Sequence, residues 1–348
     1  MPLFEQAPKS ICILRLSAVG DVCNTLAAVQ QIRDFWQTTE IVWIIGKTEM
    51  QLVAGIEGIT FVPYDKKSGW VGIFSLWRQL KDRRFDVLLN MQTAFRASIL
   101  SLGIRATYKV GFGKQRSREM QSLFVNRRIE DPDNPHVLDG FMAFAKYLGI
   151  PIVAPYWRLP ISEEDYSVAN QFLDSNRKNL IIAPCSSKPE KDWLIERYAK
   201  IANIAYQHHF NVIFCGAPTP REVETTQKIT ALCDFSPINA VGKTTLKQLA
   251  ALIGQADLVI APDSGPAHIA TMQNTPIIGL YAYHNPLRTG PYNNLTNVVS
   301  VYEENVQKEQ GKPSSQLPWV TKLKGKNLMA QIQVDVVVDQ MKKFINLK

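Results

Sequence analysis

The 348-residue chain reads as an α/β protein made of two doubly wound halves, and three observations predict this. Short apolar, β-branched runs alternate with stretches of helical period along nearly the whole length. Two loops in opposite halves, Arg15–Asp21 (RLSAVGD) and Ala261–Ala270 (APDSGPAHIA), each follow a strand-like run, ICIL and ADLVI, and each lead into an amphipathic stretch. Single cores stop growing beyond roughly 250 to 300 residues, so a chain of this length is expected to split into two domains. Open α/β sheets bind ligands at the carboxyl ends of their strands, and two such mouths serve two substrates.

In the first half the pattern predicts a strand at Ile11–Leu14, a helix near Val22–Trp36, a strand at Ile41–Ile45, a helix at Lys47–Ala54 and a strand at Thr60–Pro63. A helix around Trp70–Lys81, a strand at Asp86–Asn90 and a helix at Ala94–Leu102 complete it. Asp131–Arg158 is rich in proline and is expected to connect the halves; a helix at Glu163–Ser175 then leads to a fresh strand at Asn179–Ala183. The second half repeats the alternation: helix Leu194–Gln207, strand Asn211–Cys215, helices Arg221–Leu232 and Leu246–Gln255, strand Leu258–Ala261, helix Ala267–Gln273 and strand Pro276–Tyr281. Two Rossmann-like domains facing each other are the expected result. Their expected bounds are residues 1–165 and 166–328, with residues 329–348 forming a helix, centred on Met329–Ile345, that packs back onto the body.

Composition excludes several classes. With 46% hydrophobic and 20% charged residues, the chain has the profile of a soluble globular protein without repeats or low-complexity tracts. The start MPLFEQAPKS has no apolar signal segment, and no apolar run is long enough to span a bilayer, so a cytoplasmic protein is expected. The five cysteines, Cys12, Cys23, Cys185, Cys215 and Cys233, form no CxxC pair and read as free thiols rather than a metal site.

The net charge of +8 is unevenly spread. Between Arg96 and Arg128 stand Arg96, Arg105, Lys109, Lys114, Arg116, Arg118, Arg127 and Arg128 against the single acid Glu119. Such a stretch either attracts phosphates of a nucleic acid, an anionic lipid or an acidic sugar, or is simply a solvated basic face. No nucleic-acid-binding signature accompanies it, so nucleic acid is not the expected partner.

The chemistry-bearing residues lie on the loops. In the first loop Gly20 permits a tight turn, Ser17 can bond loop backbone, and Asp21 falls at a helix start, where it caps the helix, serves as a base for a hydroxyl, or does both. In the second, Asp263, Ser264, Gly265 and Pro266 open a helix whose backbone N–H groups can face an anion. His268, in its first turn, either donates to a phosphate oxygen or is structural. PCSSKPEKDW places Ser186, Ser187 and Lys191 at another strand end, where a lysine can neutralise a leaving diphosphate or remain an exposed loop residue. Glu222, in GAPTPRE, can bind ribose hydroxyls or merely start a helix.

Three patterns mislead. GKTT at Gly242–Thr245 resembles the end of a phosphate loop, but Pro237 stands where the earlier glycine belongs. DPD at Asp131–Asp133 lies in the proline-rich connection. No GxGxxG follows the first strand, against a nicotinamide or flavin enzyme.

The segments RLSAVGD, SSKPEKDW and APDSGPAH, in this order and spacing, resemble those of glycosyltransferase family 9, the bacterial lipopolysaccharide heptosyltransferases, over nearly the whole chain. The resemblance implies the GT-B fold, with an N-terminal acceptor domain and a C-terminal nucleotide-sugar domain. It implies transfer of heptose from ADP-heptose to the Kdo of the lipopolysaccharide inner core, with inversion and without a cofactor or required metal. The AVGDVCNTLA helix and APCSS loop look most like the subgroup that adds the first heptose, some members of which use a phosphorylated Kdo. By motif, Asp21 matches the general base and Lys191 the lysine that stabilises the leaving phosphates, aided by Ser186, Ser187, Ser264 and Gly265. Asp263 matches the acid that meets heptose hydroxyls, His268 the diphosphate partner and Glu222 the ribose contact. Cys185, where many members have glycine, and Leu194, where proline is common, depart from the pattern.

On this resemblance Ser17, Lys66, Lys67, Arg96, Arg116 and Arg118 are expected to meet the acidic acceptor, Kdo-lipid A. The enzyme would then associate peripherally with the inner leaflet of the inner membrane. The alternatives are a GT-B transferase using another nucleotide sugar, a non-catalytic two-lobed binding protein, and a nucleic-acid binder that uses the basic stretch.

Overall fold

A computed structural model describes residues 2–345. The chain divides into two compact units, Met1–Pro160 and Ile161–Lys348. The first contains β1 (Ser10–Leu14), α1 (Val19–Phe35), β2 (Glu40–Gly46), α2 (Lys47–Val53), β3 (Ile59–Tyr64), α3 (Gly69–Gln79), β4 (Arg84–Asn90), α4 (Phe95–Leu102), β5 (Arg105–Gly111), β6 (Arg127–Arg128) and α5 (Val137–Leu148). Its six strands are all parallel, in the order β3-β2-β1-β4-β5-β6. Ile11 pairs with Ile41 on one side and Val87 on the other, and Ile11 to Leu14 are wholly buried. A strand covered on both faces needs a continuous apolar run, as ICIL supplies.

The second unit contains α6 (Glu163–Asn170), β7 (Lys178–Ile182), α7 (Ile195–Gln207), β8 (Phe210–Phe214), α8 (Pro220–Thr230), β9 (Ile238–Asn239), α9 (Leu246–Gly254), β10 (Leu258–Pro262) and α10 (Gly265–Met272). After these come β11 (Ile277–Tyr281), α11 (Pro286–Thr289), β12 (Val299–Ser300), α12 (Tyr302–Gln310) and α13 (Val334–Ile345). Its sheet is also parallel throughout, in the order β12-β11-β10-β7-β8-β9. Counted from its own first strand, this is the order of the first unit. In each sheet the strand order therefore reverses once, between β1 and β4 in one and between β7 and β10 in the other, and crevices for ligands open at such switch points.

The sequence expectation lacked β5, β6, β9 and the elements between β11 and α13, and two further stretches differ from it. The supposed connection Asp131–Arg158 contains α5, whose Leu138, Phe141, Phe144, Ala145 and Leu148 are buried at helical spacing, with His136 Nδ1 accepting from Leu138 N at 3.1 Å. The prolines that suggested a connection flank the helix instead of interrupting it. The chain beyond α5 is tied to α1 within the first unit: Gln31 Nε2 donates to Val153 O (3.0 Å), Gln30 Nε2 to Arg158 O (2.7 Å) and Trp157 Nε1 to Cys23 O (2.8 Å).

At the other end, the expected helix Met329–Ile345 begins later. Leu328–Gln331 forms a 3-10 turn, and α13 starts at Val334. Residues 346–348 of the expected helix lie outside the described residues. The wholly buried Val337 and Met341 join the second core, and Trp193 Nε1 reaches Ile332 O at 3.1 Å. Among the described residues no helix is long and apolar enough to cross a membrane.

Candidate active site

The Arg15–Asp21 loop leaves the carboxyl end of β1 at the first switch point. Both neighbours hold it: Leu16 N donates to Gln92 Oε1 (2.7 Å), Gly46 N to Leu16 O (2.9 Å) and Trp43 Nε1 to Arg15 O (3.1 Å). A Cβ on Gly46 would stand 2.4 Å from Leu16 O, so this approach of β2 requires glycine. Asp21, in the first turn of α1, accepts from Ala18 N at 3.3 Å and pairs with the Arg15 guanidinium. Arg15 is itself buried, donating to Met91 O at 2.7 Å with its guanidinium 5.2 Å from the centre of the Phe141 ring. The Asp21 side chain remains 37% exposed, so it is oriented from within and open to a ligand from without.

Ser17 is half-buried in this loop. Lys66 and Lys67 follow β3, at the same edge of the sheet. Lys66 Nζ pairs with the buried Glu49 at 2.7 Å, and Lys67 is exposed. Arg96, exposed at the start of α4, donates to Lys66 O at 2.6 Å, joining two of the expected acceptor residues. Arg116 points the other way: it is buried and donates to Asn134 O (2.6 Å) and His136 O (2.9 Å). Arg118 is half-buried. The basic stretch is thus partly structural; burial lowers the Lys109 ammonium, which donates to Ser101 O at 2.6 Å.

In the second unit the loops after β7, β10 and β11 converge. Lys191, buried in the turn Pro189–Lys191, donates to Asp263 O (2.6 Å) and to Asp263 Oδ2 (3.1 Å). The same Oδ2 meets His284 Nδ1 at 2.6 Å. Burial pushes the Asp263 carboxyl up, but the hydrogen bond from His284 and the charges of Lys191, His284 and His268 outweigh it and hold the group well below the usual carboxylate range. An ionised Asp263 accepts, so Nδ1 of His284 carries the proton.

Ser264 caps α10. Its hydroxyl is buried and has no hydrogen-bond partner, at the start of a helix whose first-turn N–H groups lack intrahelical acceptors. Gly265 is half-buried and His268 buried in the following turn. Ser186 is buried, its N–H donating to Asp192 Oδ1 (2.6 Å) and its hydroxyl to Lys188 O (2.7 Å); Arg221 ties Asp192 to Ser186 O. Burial raises the Asp192 carboxyl. Ser187 is exposed. Glu222 turns back on its own loop, accepting from Ala217 N at 2.7 Å.

The structure therefore brings Lys191, Asp263, Ser264 and His268 together around one strand end and leaves Glu222 a few residues along the loop that follows β8. Sequence reasoning missed His284, Asp192, Arg221 and Arg15. His284 follows the carboxyl end of β11, so the rule that singled out Asp263 would have found it.

Two doubly wound units, each a parallel six-stranded sheet with a loop at its switch point, define a protein of the GT-B class. The sequence pattern of glycosyltransferase family 9 (heptosyltransferase) matches residues 73–320. The lipopolysaccharide core heptosyltransferase OpsX of Haemophilus influenzae is 69% identical over 343 residues, covering 99% of each chain. Two solved structures share the fold. A family 9 glycosyltransferase from Veillonella parvula has a TM-score of 0.80 at 23% identity, over 98% of both chains. The E. coli heptosyltransferase WaaC with ADP has a TM-score of 0.73 at 17% identity, over 96% of this chain and 99% of its own. The chain belongs to glycosyltransferase family 9, the heptosyltransferases, and is a glycosyltransferase.

Proposed function

We propose that this enzyme moves heptose from ADP-heptose to the Kdo sugar of the lipopolysaccharide inner core, with inversion at the anomeric carbon. The observation that carries the donor half is the ionised Asp263 held between Lys191 and His284 beside the unpartnered Ser264 hydroxyl at the start of α10. Diphosphate oxygens supply the acceptors which that hydroxyl and the first-turn N–H groups lack, and the Lys191 charge meets the negative charge that grows on the departing ADP. With Asp263 engaged by Lys191 and His284, its part is to position both as well as to meet sugar hydroxyls. Glu222 holds its loop in shape where ribose would lie.

Asp21 takes the proton of the attacking Kdo hydroxyl as the new C–O bond forms and the anomeric C–O bond to the β-phosphate breaks. An inverting transfer needs a base on one face and leaving-group stabilisation on the other, the roles read here for Asp21 and Lys191. Ser17, Lys66, Lys67, Arg96 and Arg118 are the candidate partners of the acidic acceptor, with Arg116 shaping their loop. Residues 1–165 form the acceptor domain and 166–328 the donor domain in this reading.

Peripheral association with the inner leaflet rests on a patch of Trp70, Val71 and Phe74, 63%, 78% and 59% exposed on α3. Apolar side chains beside Lys66 and Lys67 fit an anionic lipid surface. OpsX is named as acting on the lipopolysaccharide core, in line with this substrate class. The test is to incubate the enzyme with ADP-heptose and defined acceptors, Kdo-lipid A with and without a first heptose, and weigh the products. A heptose mass added to the Kdo-only acceptor is expected; addition only to the heptosylated one overturns the acceptor assignment.

A further inference from the structure

Beside the Asp263 cluster the second unit has a cavity of about 830 Å³, lined among others by Lys188, Lys191, His284, Lys322, Lys324 and Lys326. Three of these lysines come from one short segment, KLKGK, that none of the roles above employs. The segment is extended: Lys322 bridges His284 in antiparallel fashion, and Leu323 N donates to Tyr283 O at 3.1 Å. Alternation in an extended chain sends successive side chains to opposite sides. Leu323 is accordingly buried in the second core, and Lys322, Lys324 and Lys326 are exposed. The strap is anchored at both ends, by Tyr302 Oη donating to Thr321 O (2.8 Å) and by the buried Leu328.

The acids nearby do not balance this charge. Asp192 is paired with Arg221, Asp263 with Lys191 and His284, and Glu309 accepts from the Lys324 backbone N–H at 3.1 Å. Glu190 is the remaining carboxylate lining the cavity. Lys191 and the start of α10 already provide for a diphosphate. Lys188, Lys322, Lys324 and Lys326 are then surplus, and ammonium groups gathered around one concavity repel each other unless an anion lies among them.

We propose that this lysine strap is a second anion subsite, additional to the diphosphate site, that takes the acidic group, phosphate or carboxylate, of the acceptor sugar. It rests on the proposed reaction for the identity of that sugar but not for the existence of the subsite. The triple variant Lys322→Gln/Lys324→Gln/Lys326→Gln changes only exposed side chains, and an unchanged Tm verifies its fold.

Two measurements test the subsite. In the first, inorganic phosphate is titrated calorimetrically into protein saturated with ADP. Binding by the parent and at least tenfold weaker binding by the variant are expected; equal binding, or none by the parent, overturns the subsite. In the second, KM is measured for the donor and for acceptors with the acidic group intact or neutralised. A tenfold rise in KM for the acidic acceptor alone is expected, with the donor KM within twofold. A rise in the donor KM instead assigns the lysines to the ADP phosphates and overturns the acceptor role. Absence of transfer to any acceptor sinks the proposed reaction, while the titration still decides the subsite.

Discussion

Asp263 Oδ2 lies 2.6 Å from His284 Nδ1, so two residues from successive strand ends share one partly buried hydrogen bond. The bond couples the donor loop to the strap that follows it, because the backbone of His284 pairs with Lys322. His284→Ala removes this bond and leaves Asp263 its hydrogen bond from Lys191. Loss of a charge-assisted hydrogen bond costs about 1.5 to 3 kcal/mol. Thermal unfolding of the variant is expected several degrees below the parent, with a raised KM for ADP-heptose.

Acid lability follows from the same carboxylate. Because its folded-state pKa is depressed, Asp263 adds stability that is complete above the unfolded carboxylate value of about 4 and is lost as pH falls towards the folded one. Asp263→Asn removes this contribution. Urea unfolding should show the parent well ahead of the variant at pH 7, with the gap narrowing below about pH 4. A gap that widens on acidification contradicts the assignment.

Asp21 should govern turnover rather than donor binding. Positioned general bases contribute about 10² to 10⁴ in rate, so Asp21→Asn is expected to lower kcat by that order. Calorimetric affinity for ADP should stay unchanged. A parallel loss of ADP affinity would assign Asp21 to the fold instead.

Arg116 should act on stability. Replacing it by Met leaves Asn134 O and His136 O without their guanidinium donor in a buried setting, a loss of about 3 kcal/mol. The expected readout is a Tm lower by roughly 6 to 12 °C at about 2 to 4 °C per kcal/mol. Arg96→Met, at an exposed position, should leave Tm nearly unchanged and raise the acceptor KM.

The apolar patch on α3 can be checked directly. Trp70→Ser/Phe74→Ser should reduce sedimentation with anionic phospholipid vesicles and leave activity on a delipidated acceptor intact. Equal sedimentation of both proteins argues against this face.

Local signals carried most of the architecture. The strand ICIL, the helix that starts beside Asp21 and the turn at Ser264 are legible because apolar runs, helical spacing and small-residue turns act within a few residues. The α5 helix was hidden because Pro132, Pro135 and Pro151 around it carry a stronger local signal than its own period. The basic stretch was legible as charge, yet its division into exposed Arg96 and buried Arg116 was not, since only packing decides which guanidinium finds carbonyls.

By itself, then, the sequence determined the alternation of strands and helices, the two strand-end loops, and the family pattern that spans them. The tertiary structure alone decided that both sheets share one strand order. It also decided that Lys191, Asp263 and His284 meet although far apart in the chain, and that Lys322 lies against His284. The physical reason is that such contacts depend on sheet order and the burial of distant side chains, and no short window of residues records either.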